Sequence, residues 1–225
     1  MRKIDKRICI ATQYEDWIAK KEKAFQETGR KIPNYNNNDE YYSKDVFVAL
    51  LYCQNGLCAY TEKRLIYPTE LEKAIQQFDS QGKYQGERPK CDADVEHFDS
   101  KKKAKNGWAW DNFLVVYDSV NKAKGEKVID EILKPDNEAY NPFLLLEYDK
   151  KHHLFFANET ENDSEACQKI ENMIIVLGLN HTSIKHERKE YLQELWLKQK
   201  TDTTLLPDRF FTAYGMAIQS INEQK

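Results

Sequence analysis

The sequence predicts an α+β chain in which a small unit of two strands and one helix is embedded between helical N- and C-terminal segments. Residues 94–98 and the apolar run 113–117 are predicted as two short strands, and a helical turn is expected over 119–125. Towards the C-terminus, apolar side chains recur at helical spacing. They include Ala166, Ile170, Met173, Ile174 and Leu177.

Length and composition limit the class of protein. The chain has 225 residues, so it can bury a sizeable core, as one large domain or as a small one with helical additions. Charged residues make up 32% and hydrophobic residues 40%, which is typical of a globular protein with a heavily solvated surface. The formal net charge is -3. A protein with this balance does not coat nucleic acid unaided, so any DNA contact must be local or come from a partner.

Membrane insertion and a disulfide framework are both disfavoured. No apolar run follows Met1, Arg2 and Lys3, and no window approaches the roughly 18 apolar residues of a membrane span. The five cysteines are odd in number and irregularly spaced, which argues against a secreted, disulfide-bonded domain. The sequence therefore predicts a cytoplasmic protein.

Helices and loops precede the two strands. Thr12-Gln13-Tyr14-Glu15 has the form of a capping box, which predicts a helix from there to about Gly29. The next predicted elements are a loop over 32–40, a helix over 43–56, a hairpin of 57–60 with 64–67, a helix over 69–78 and an exposed loop over 80–90.

A second pair of strands is predicted over 142–148 and 154–158, joined by a turn that contains His152 and His153. Two adjacent histidines could bind a metal ion. No acidic or cysteine cluster accompanies them, so we expect an exposed hairpin tip instead.

Three C-terminal helices complete the predicted fold. One ends at Gly178, one begins at Ser183 and one begins at Pro207. Their apolar faces predict core packing, and the last helix is also a candidate face for a partner. The predictions divide the chain into a helical segment over 1–56, a strand-and-helix core over 57–135, and a hairpin with helices over 136–225. We expect these parts to form one compact unit.

A carboxylate beside a histidine ends the first predicted strand, and two asparagines follow it. Glu96 and His97 are neighbours, Asn112 opens the apolar run of the second strand, and Asn121 lies beside Lys122. Hydrolysis of a phosphodiester requires an activated water and neutralisation of charge on the phosphate, which a hard divalent ion with oxygen ligands provides. Glu96 and the side-chain carbonyl of Asn121 suit Mg²⁺ or Mn²⁺. His97, with an ordinary pKa of about 6.5, is the candidate base.

This placement makes a geometric demand on the first strand. Neighbouring residues of a regular strand point to opposite faces of the sheet. Glu96 and His97 can therefore serve one site only if the strand bends or ends at that point.

Four short motifs occur in a characteristic order. They are Cys58-Ala59-Tyr60-Thr61-Glu62, Val95-Glu96-His97-Phe98, Trp110-Asp111-Asn112-Phe113-Leu114 and Asn121-Lys122-Ala123-Lys124-Gly125. In this order they resemble the HNH endonucleases related to PtuB, the nuclease subunit of Septu antiphage systems and of some retron defence systems. Val176-Leu177-Gly178-Leu179-Asn180 and the later Arg188 resemble that family's C-terminal helical part, so the resemblance covers roughly residues 43–192.

The resemblance implies a ββα-metal core and a role for each polar residue. Glu96 and Asn121 would hold one Mg²⁺ or Mn²⁺ ion. His97 would be the general base, and Asn112 would order the loop that positions His97. The resemblance also implies a DNA endonuclease that is the effector of an antiphage complex, with an ATPase partner that recognises the threat and restrains cutting.

One departure from the family pattern concerns a structural zinc ion. The family carries two Cys-x-x-Cys pairs, and this chain keeps only Cys58, with Thr61, Tyr117 and Val120 at the other positions. Tetrahedral zinc requires four sulfur or nitrogen ligands. We therefore expect no structural zinc, and packing by Tyr60, Tyr117 and Val120 in its place.

Lysines surround the predicted site. Over residues 99–127 seven lysines face four acids, a local balance of +3 in an acidic chain. They would hold phosphates beside the metal, although an ordinary polar loop is the alternative. The candidate contacts to nucleic acid are Lys101, Lys102, Lys103, Lys105, Lys122 and Lys124.

Three functions agree with these observations. The first is the metal-dependent DNA endonuclease, favoured because Glu96, His97, Asn112 and Asn121 are all present. The second is a catalytically inactive scaffold or DNA-binding subunit with the same fold, favoured by the missing cysteines and the acidic net charge. The third is an RNA-directed toxin, because a one-metal site of this kind acts on phosphodiesters of either nucleic acid.

Overall fold

A computed structural model describes residues 1–7, 13–28, 40–102, 109–127 and 129–222. The chain divides into two compact units. The hairpin unit comprises Ile4–Cys58 and Arg64–Asp118, and the helical unit comprises Met1–Lys3, Ala59–Lys63 and Ser119–Lys225. The boundaries of these units differ from the predicted boundaries at residues 56 and 135. The N-terminal helices pack on the first pair of strands and therefore belong to the same unit as those strands.

The helices of the hairpin unit follow the predicted order. Helix α1 spans Tyr14–Thr28, a π-helical turn over Tyr41–Val46 leads into α2 over Phe47–Cys53, and α3 spans Pro68–Ile75. Gly56 follows α2 with a φ of +68°, and a Cβ there would lie 2.8 Å from the backbone oxygen of Ile66, so only glycine fits. The predicted capping residue Thr12 and most of the predicted loop over 32–40 lie outside the described residues.

The predicted hairpin of 57–60 with 64–67 is reduced to one bridge between Leu57 and Arg64. The Arg64 guanidinium donates a 2.7 Å hydrogen bond to the backbone oxygen of Asn55 and so closes the turn. The Arg64 side chain thus joins the two segments in place of the backbone hydrogen bonds that a longer pair of strands would form.

Strands β1, over Ala93–His97, and β2, over Phe113–Tyr117, form an antiparallel pair. The register runs without interruption from Ala93 opposite Tyr117 to His97 opposite Phe113. Helix α4, over Asp118–Lys124, begins at the residue after β2. The predicted order of strand, loop, strand and helix is confirmed, with boundaries that differ by no more than one residue.

Apolar and aromatic side chains form the core of the hairpin unit. Phe47, Leu50 and Leu51 of α2 are fully buried in one cluster with Phe113 and Val115 of β2. Full burial of each such side chain contributes about 1.5–3 kcal/mol relative to exposure. An isolated two-stranded hairpin is marginally stable in water, so this contact with α2 is what allows β1 and β2 to persist.

The side chain of Gln54, just after α2, is paired with the backbone of β2. Its amide nitrogen donates to the backbone oxygen of Val115 at 2.8 Å and to that of Leu57 at 2.7 Å. Its amide oxygen accepts from the backbone nitrogen of Val115 at 2.8 Å. One buried amide thus satisfies both backbone groups of one strand residue, as a neighbouring strand would. We call this arrangement an amide clamp.

We predict that Gln54→Glu lowers the free energy of unfolding by about 3 kcal/mol, because the change places a buried carboxylate oxygen against two carbonyl oxygens. Urea denaturation at neutral pH measures the loss. Protonation of the new carboxyl restores a donor, so the loss should shrink at acidic pH. Gln193→Glu, at an exposed glutamine, is the matched control and should change stability by less than about 0.5 kcal/mol. Equal effects of the two substitutions would contradict the role of the clamp.

The helical unit contains a short hairpin and three long helices. Strands β3, over Leu146–Asp149, and β4, over Leu154–Ala157, pair in antiparallel register. Residues Pro142–Leu145 form the helical turn α5 rather than the predicted strand, because Pro142 begins it and the Asn141 side chain accepts from the backbone nitrogen of Phe143. Helices α6 over Ser164–Val176, α7 over Thr182–Gln199 and α8 over Phe211–Asn222 confirm the three predicted helices. The last begins at Phe211 instead of Pro207.

A second amide clamp orders this unit. The Asn180 side chain accepts from the backbone nitrogen of Phe155 and donates to its backbone oxygen, both at 2.8 Å. The adjacent Arg188 is buried, and its guanidinium donates to the backbone oxygens of Leu179 at 2.9 Å and His153 at 2.6 Å. The Asn180 clamp ties the loop before α7 to the β3–β4 hairpin. The bond from Arg188 to His153 ties α7 itself to the same hairpin.

Glu62 connects distant parts of the helical unit. Its carboxylate accepts hydrogen bonds from the backbone nitrogen of Thr212 at 3.0 Å and from the Thr212 hydroxyl. It also lies 3.3 Å from the amino group of Met1, and its backbone oxygen accepts from the backbone nitrogen of Phe210. The carboxylate is buried, so these donors provide the compensation that a buried charge needs.

Within the ranges that the structure describes, none of the helices combines the length and apolar character needed to cross a bilayer.

Candidate functional site

The candidate base and one candidate ligand lie at the end of β1. Glu96 and His97 are each 4% exposed. The His97 ring packs edge-on against Phe113, its partner across the hairpin, with the ring centroids 4.8 Å apart. β1 contains no bulge, and His97 is its last residue. Strand β1 therefore ends at His97, as a site shared by Glu96 and His97 requires. The imidazole of His97 is more buried than the sequence predicts.

Asn112 holds the chain just beyond this strand end. Its amide oxygen accepts from the backbone nitrogen of Asp99 at 2.8 Å, and its amide nitrogen donates to the backbone oxygen of Asp99 at 3.0 Å. Its own backbone oxygen accepts from the backbone nitrogen of Phe98 at 2.8 Å. This third amide clamp fixes the residue two positions after His97, which is the contact that the predicted role of Asn112 requires.

We predict that Asn112→Asp lowers the free energy of unfolding by about 2 kcal/mol, because an oxygen replaces the nitrogen that donates to Asp99. Thermal and urea denaturation measure the change. The neighbouring Asp111 is exposed, so Asp111→Asn is the matched control and should be almost neutral. Wild-type stability in the Asn112→Asp variant would show that the clamp does not hold the loop.

The two predicted metal ligands lie in different units. Glu96 belongs to the hairpin unit, and Asn121 is a half-buried residue of α4 in the helical unit. Within the described ranges, no group of three histidine, cysteine, aspartate or glutamate side chains could hold a metal ion. One carboxylate and one amide oxygen are hard donors of the kind that Mg²⁺ and Mn²⁺ accept, so the donor chemistry fits. Their shared coordination stays a prediction.

Cys58, the one retained cysteine of the zinc pattern, is buried and its sulfur accepts a 3.4 Å hydrogen bond from the backbone nitrogen of Tyr117. In the helical unit, Tyr60 and Val120 are buried, and Val120 lies beside Gly178. The thiol thus has a backbone partner, and two of the three residues expected to pack in place of zinc are in core positions. The expectation of no structural zinc stays a prediction.

The predicted lysine contacts fall into three groups. Lys101 and Lys122 are exposed and Lys102 is half-buried, whereas Lys103 and Lys105 lie outside the described residues. Lys124 is 2% exposed, which does not favour its predicted contact with phosphates, and that contact stays a prediction. Its position explains the burial, because Val120 lies one helical turn earlier on the same buried face of α4.

Trp110 packs within the hairpin unit. Its ring meets that of Tyr14 edge-on at 5.0 Å, and the Lys6 ammonium donates to its backbone oxygen at 2.7 Å.

The expected exposed tip of the second hairpin is correct for His152 and wrong for His153. His152 is exposed and lies 2.5 Å from the Asp149 carboxylate. His153 is buried, its ring nitrogen Nδ1 is 2.7 Å from the Tyr148 hydroxyl, and its ring stacks on Trp196. It adopts a left-handed φ of +57°, which turns the chain back so that the ring points inward.

Burial lowers the pKa of His153 below its ordinary value of 6.5, and the nearby cations Arg188, Lys189 and Lys185 lower it further against the opposing effect of Asp149. A histidine with a lowered folded-state pKa binds protons more readily when unfolded. Its contribution to stability is therefore present above about pH 6.5 and is lost as the pH falls through the folded-state pKa.

We predict that the stability advantage of the wild type over His153→Asn shrinks as the pH is lowered from 7.5 towards 5. Asparagine tolerates the left-handed backbone, so the variant isolates the side chain. Denaturant unfolding at several pH values measures the difference. His186→Asn, at an exposed histidine paired with Glu190, is the control and should not show this trend. A pH-independent difference for His153→Asn would contradict the lowered pKa.

No sequence pattern predicts the roles of Gln54 in the hairpin unit and of His153 in the helical unit. Gln54 resembles any polar residue after a helix, and only its burial between α2 and β2 reveals the clamp. The inward turn of His153 likewise depends on contacts with Tyr148 and Trp196 that lie in other elements.

No protein-family model matches the chain, and no curated protein matches it. The likeness to HNH endonucleases thus rests on the short motifs and on the residues that surround them.

Proposed function

We propose that the chain is a metal-dependent endonuclease of the HNH type that hydrolyses phosphodiester bonds in DNA. The observation that carries the proposal is the Asn112 clamp. It joins Asn112, the residue before β2, to Asp99, two positions after His97, within a hairpin that continues into α4. A nuclease needs its general base held in one orientation. The clamp fixes Asp99 and so restrains the chain that follows His97.

In the proposed reaction His97 takes a proton from a water molecule, and the water oxygen attacks the phosphorus. The bond from phosphorus to the leaving oxygen breaks, and the leaving oxygen takes a proton from solvent. The Phe113 ring, edge-on to the imidazole, restricts rotation of His97 and so favours one direction of proton transfer.

Glu96 and Asn121 would hold the divalent ion in this proposal. When bound, the ion neutralises negative charge that develops on the phosphate. Lys101, Lys102 and Lys122 would contact phosphates on either side of the reacting bond, since Lys101 and Lys122 are exposed and Lys102 is half-buried. As the resemblance implies, the nuclease would act in the cytoplasm as the effector of an antiphage complex with an ATPase partner.

A catalytically inactive scaffold or DNA-binding subunit is the second candidate. The near-complete burial of Glu96 and His97 favours it, because substrate and water must reach both groups during catalysis. The net charge of -3 favours it as well. In this case the polar residues would stabilise the hairpin, and the DNA contact would come from the lysines or from a partner.

We expect purified protein to nick supercoiled plasmid in the presence of Mg²⁺ or Mn²⁺ and to lose this activity with EDTA. His97→Ala, Glu96→Gln and Asn121→Ala should each lower the rate by at least about 100-fold, because each removes the base or a ligand. His186→Ala, at an exposed histidine, is the matched control and should keep the wild-type rate. Circular dichroism melting shows whether each variant is folded.

The outcomes separate the candidate functions. No cleavage with either ion, even with the ATPase partner present, would overturn the nuclease and favour the scaffold. Cleavage of single-stranded RNA in preference to plasmid under the same conditions would favour the RNA-directed toxin.

The role of His97 predicts a pH dependence of the rate. Only the neutral imidazole can accept a proton, so hydrolysis should rise with pH through the pKa of His97 and then level off. Initial rates at a fixed metal concentration measure this profile. A rate that stays constant from about pH 5.5 to 8 would argue against His97 as the base.

A further inference from the structure

A groove opens on the surface of the helical unit. Its volume is about 600 Å³. Its lining includes Phe143 and Leu144 of α5, Phe211 of α8, and the cations Arg2 and Lys3. We call it the Phe143 groove. All of its lining residues belong to the helical unit.

The floor of the groove is apolar and open to solvent. Phe143 is 41% exposed and Leu144 is 50% exposed, although large apolar side chains at adjacent positions are normally buried against a partner. The Asn141 cap on the backbone nitrogen of Phe143 fixes the start of α5, so this exposure is a property of an ordered turn.

Gly215 of α8 sets the position of the Phe143 ring. A Cβ at residue 215 would lie 3.0 Å from the Phe143 Cζ atom, closer than the ring allows without moving. Glycine inside a helix is unfavourable relative to alanine. Its presence here lets the aromatic ring lie directly against the α8 backbone and leaves the groove open above it.

The rim of the groove is positively charged. Arg2 lies over the Phe211 ring, 5.5 Å from its centroid, and the Lys3 ammonium donates to the backbone oxygen of Glu138. The lining thus contains two cations against a single acid, Glu138, in a chain whose net charge is -3. Burial lowers the pKa of Arg2, and the neighbouring Glu62 carboxylate opposes that shift. A carboxylate on a bound segment would be attracted by the two cations of the rim, Arg2 and Lys3.

We propose that the Phe143 groove binds a segment of a partner protein in which an aromatic or aliphatic side chain stands close to an aspartate or glutamate. The apolar side chain would lie on Phe143 and Leu144, and the carboxylate would face Arg2 and Lys3. A nucleic acid fits less well, because the floor offers apolar contacts and only two cations accompany it. The proposal is independent of the nuclease.

The test is a selection of phage-displayed random peptides against the whole chain. The enriched peptides are then synthesised with a fluorescein label and their dissociation constants measured by anisotropy. We expect the enriched peptides to share an apolar residue within a few positions of an acid. Replacing that acid with lysine should abolish binding, and added salt should weaken it.

Variants of the chain locate the binding site. Phe143→Ser and Leu144→Ser should each weaken binding about tenfold, as expected when a contact near the centre of an interface is lost. Arg2→Gln should weaken it about threefold. Leu206→Ser removes a leucine that is 77% exposed and lies outside the groove, so it is the matched control and should bind as the wild type does. Circular dichroism melting confirms folding, and both groove substitutions are at partly exposed sites.

Several results would overturn the proposal. One is the enrichment of no peptide, or of basic peptides. Another is peptide binding that Phe143→Ser and Leu144→Ser leave unchanged. Self-association of the chain, binding to duplex DNA, or binding to phosphatidylglycerol vesicles that is lost in Phe143→Ser would assign the groove to a different occupant.

Discussion

The fold depends on side-chain amides that pair with both backbone groups of a single residue. Gln54 pairs with Val115, Asn112 with Asp99 and Asn180 with Phe155. An amide can do this because it carries a donor and an acceptor side by side, at the spacing of a peptide group. Each clamp therefore supplies, with one side chain, the pair of hydrogen bonds that a residue of a neighbouring strand would provide.

These amide clamps are most important for β1 and β2. Each has five residues, and a sheet of two such strands has little stability of its own. The Gln54 clamp holds the outer edge of β2, while the Asn112 clamp closes the loop between the strands. Glu96 and His97 thus lie on a hairpin that is restrained on both sides, which suits either a catalytic site or a rigid scaffold.

Much of this architecture can be predicted from the sequence, because helical spacing, glycine stops and short apolar runs depend on neighbouring residues. The hairpin, α4 and the three C-terminal helices follow from such signals. The π-helical turn before α2 and the helical turn at Pro142 do not, since they depend on packing and on a cap. Burial of Lys124 and His153 was also unpredictable, because polar residues in a polar segment give no sign of the surface that covers them.

The path of the chain through the two units has a consequence for synthesis. Every residue of the hairpin unit has been made once residue 118 leaves the ribosome, so that unit can fold while the rest is still being translated. The helical unit cannot do the same, because Glu62 must wait for Thr212, which is translated 150 residues later. Until then the carboxylate of Glu62, which is buried in the folded protein, stays hydrated. The helical unit therefore completes its fold only after residue 212 has been translated.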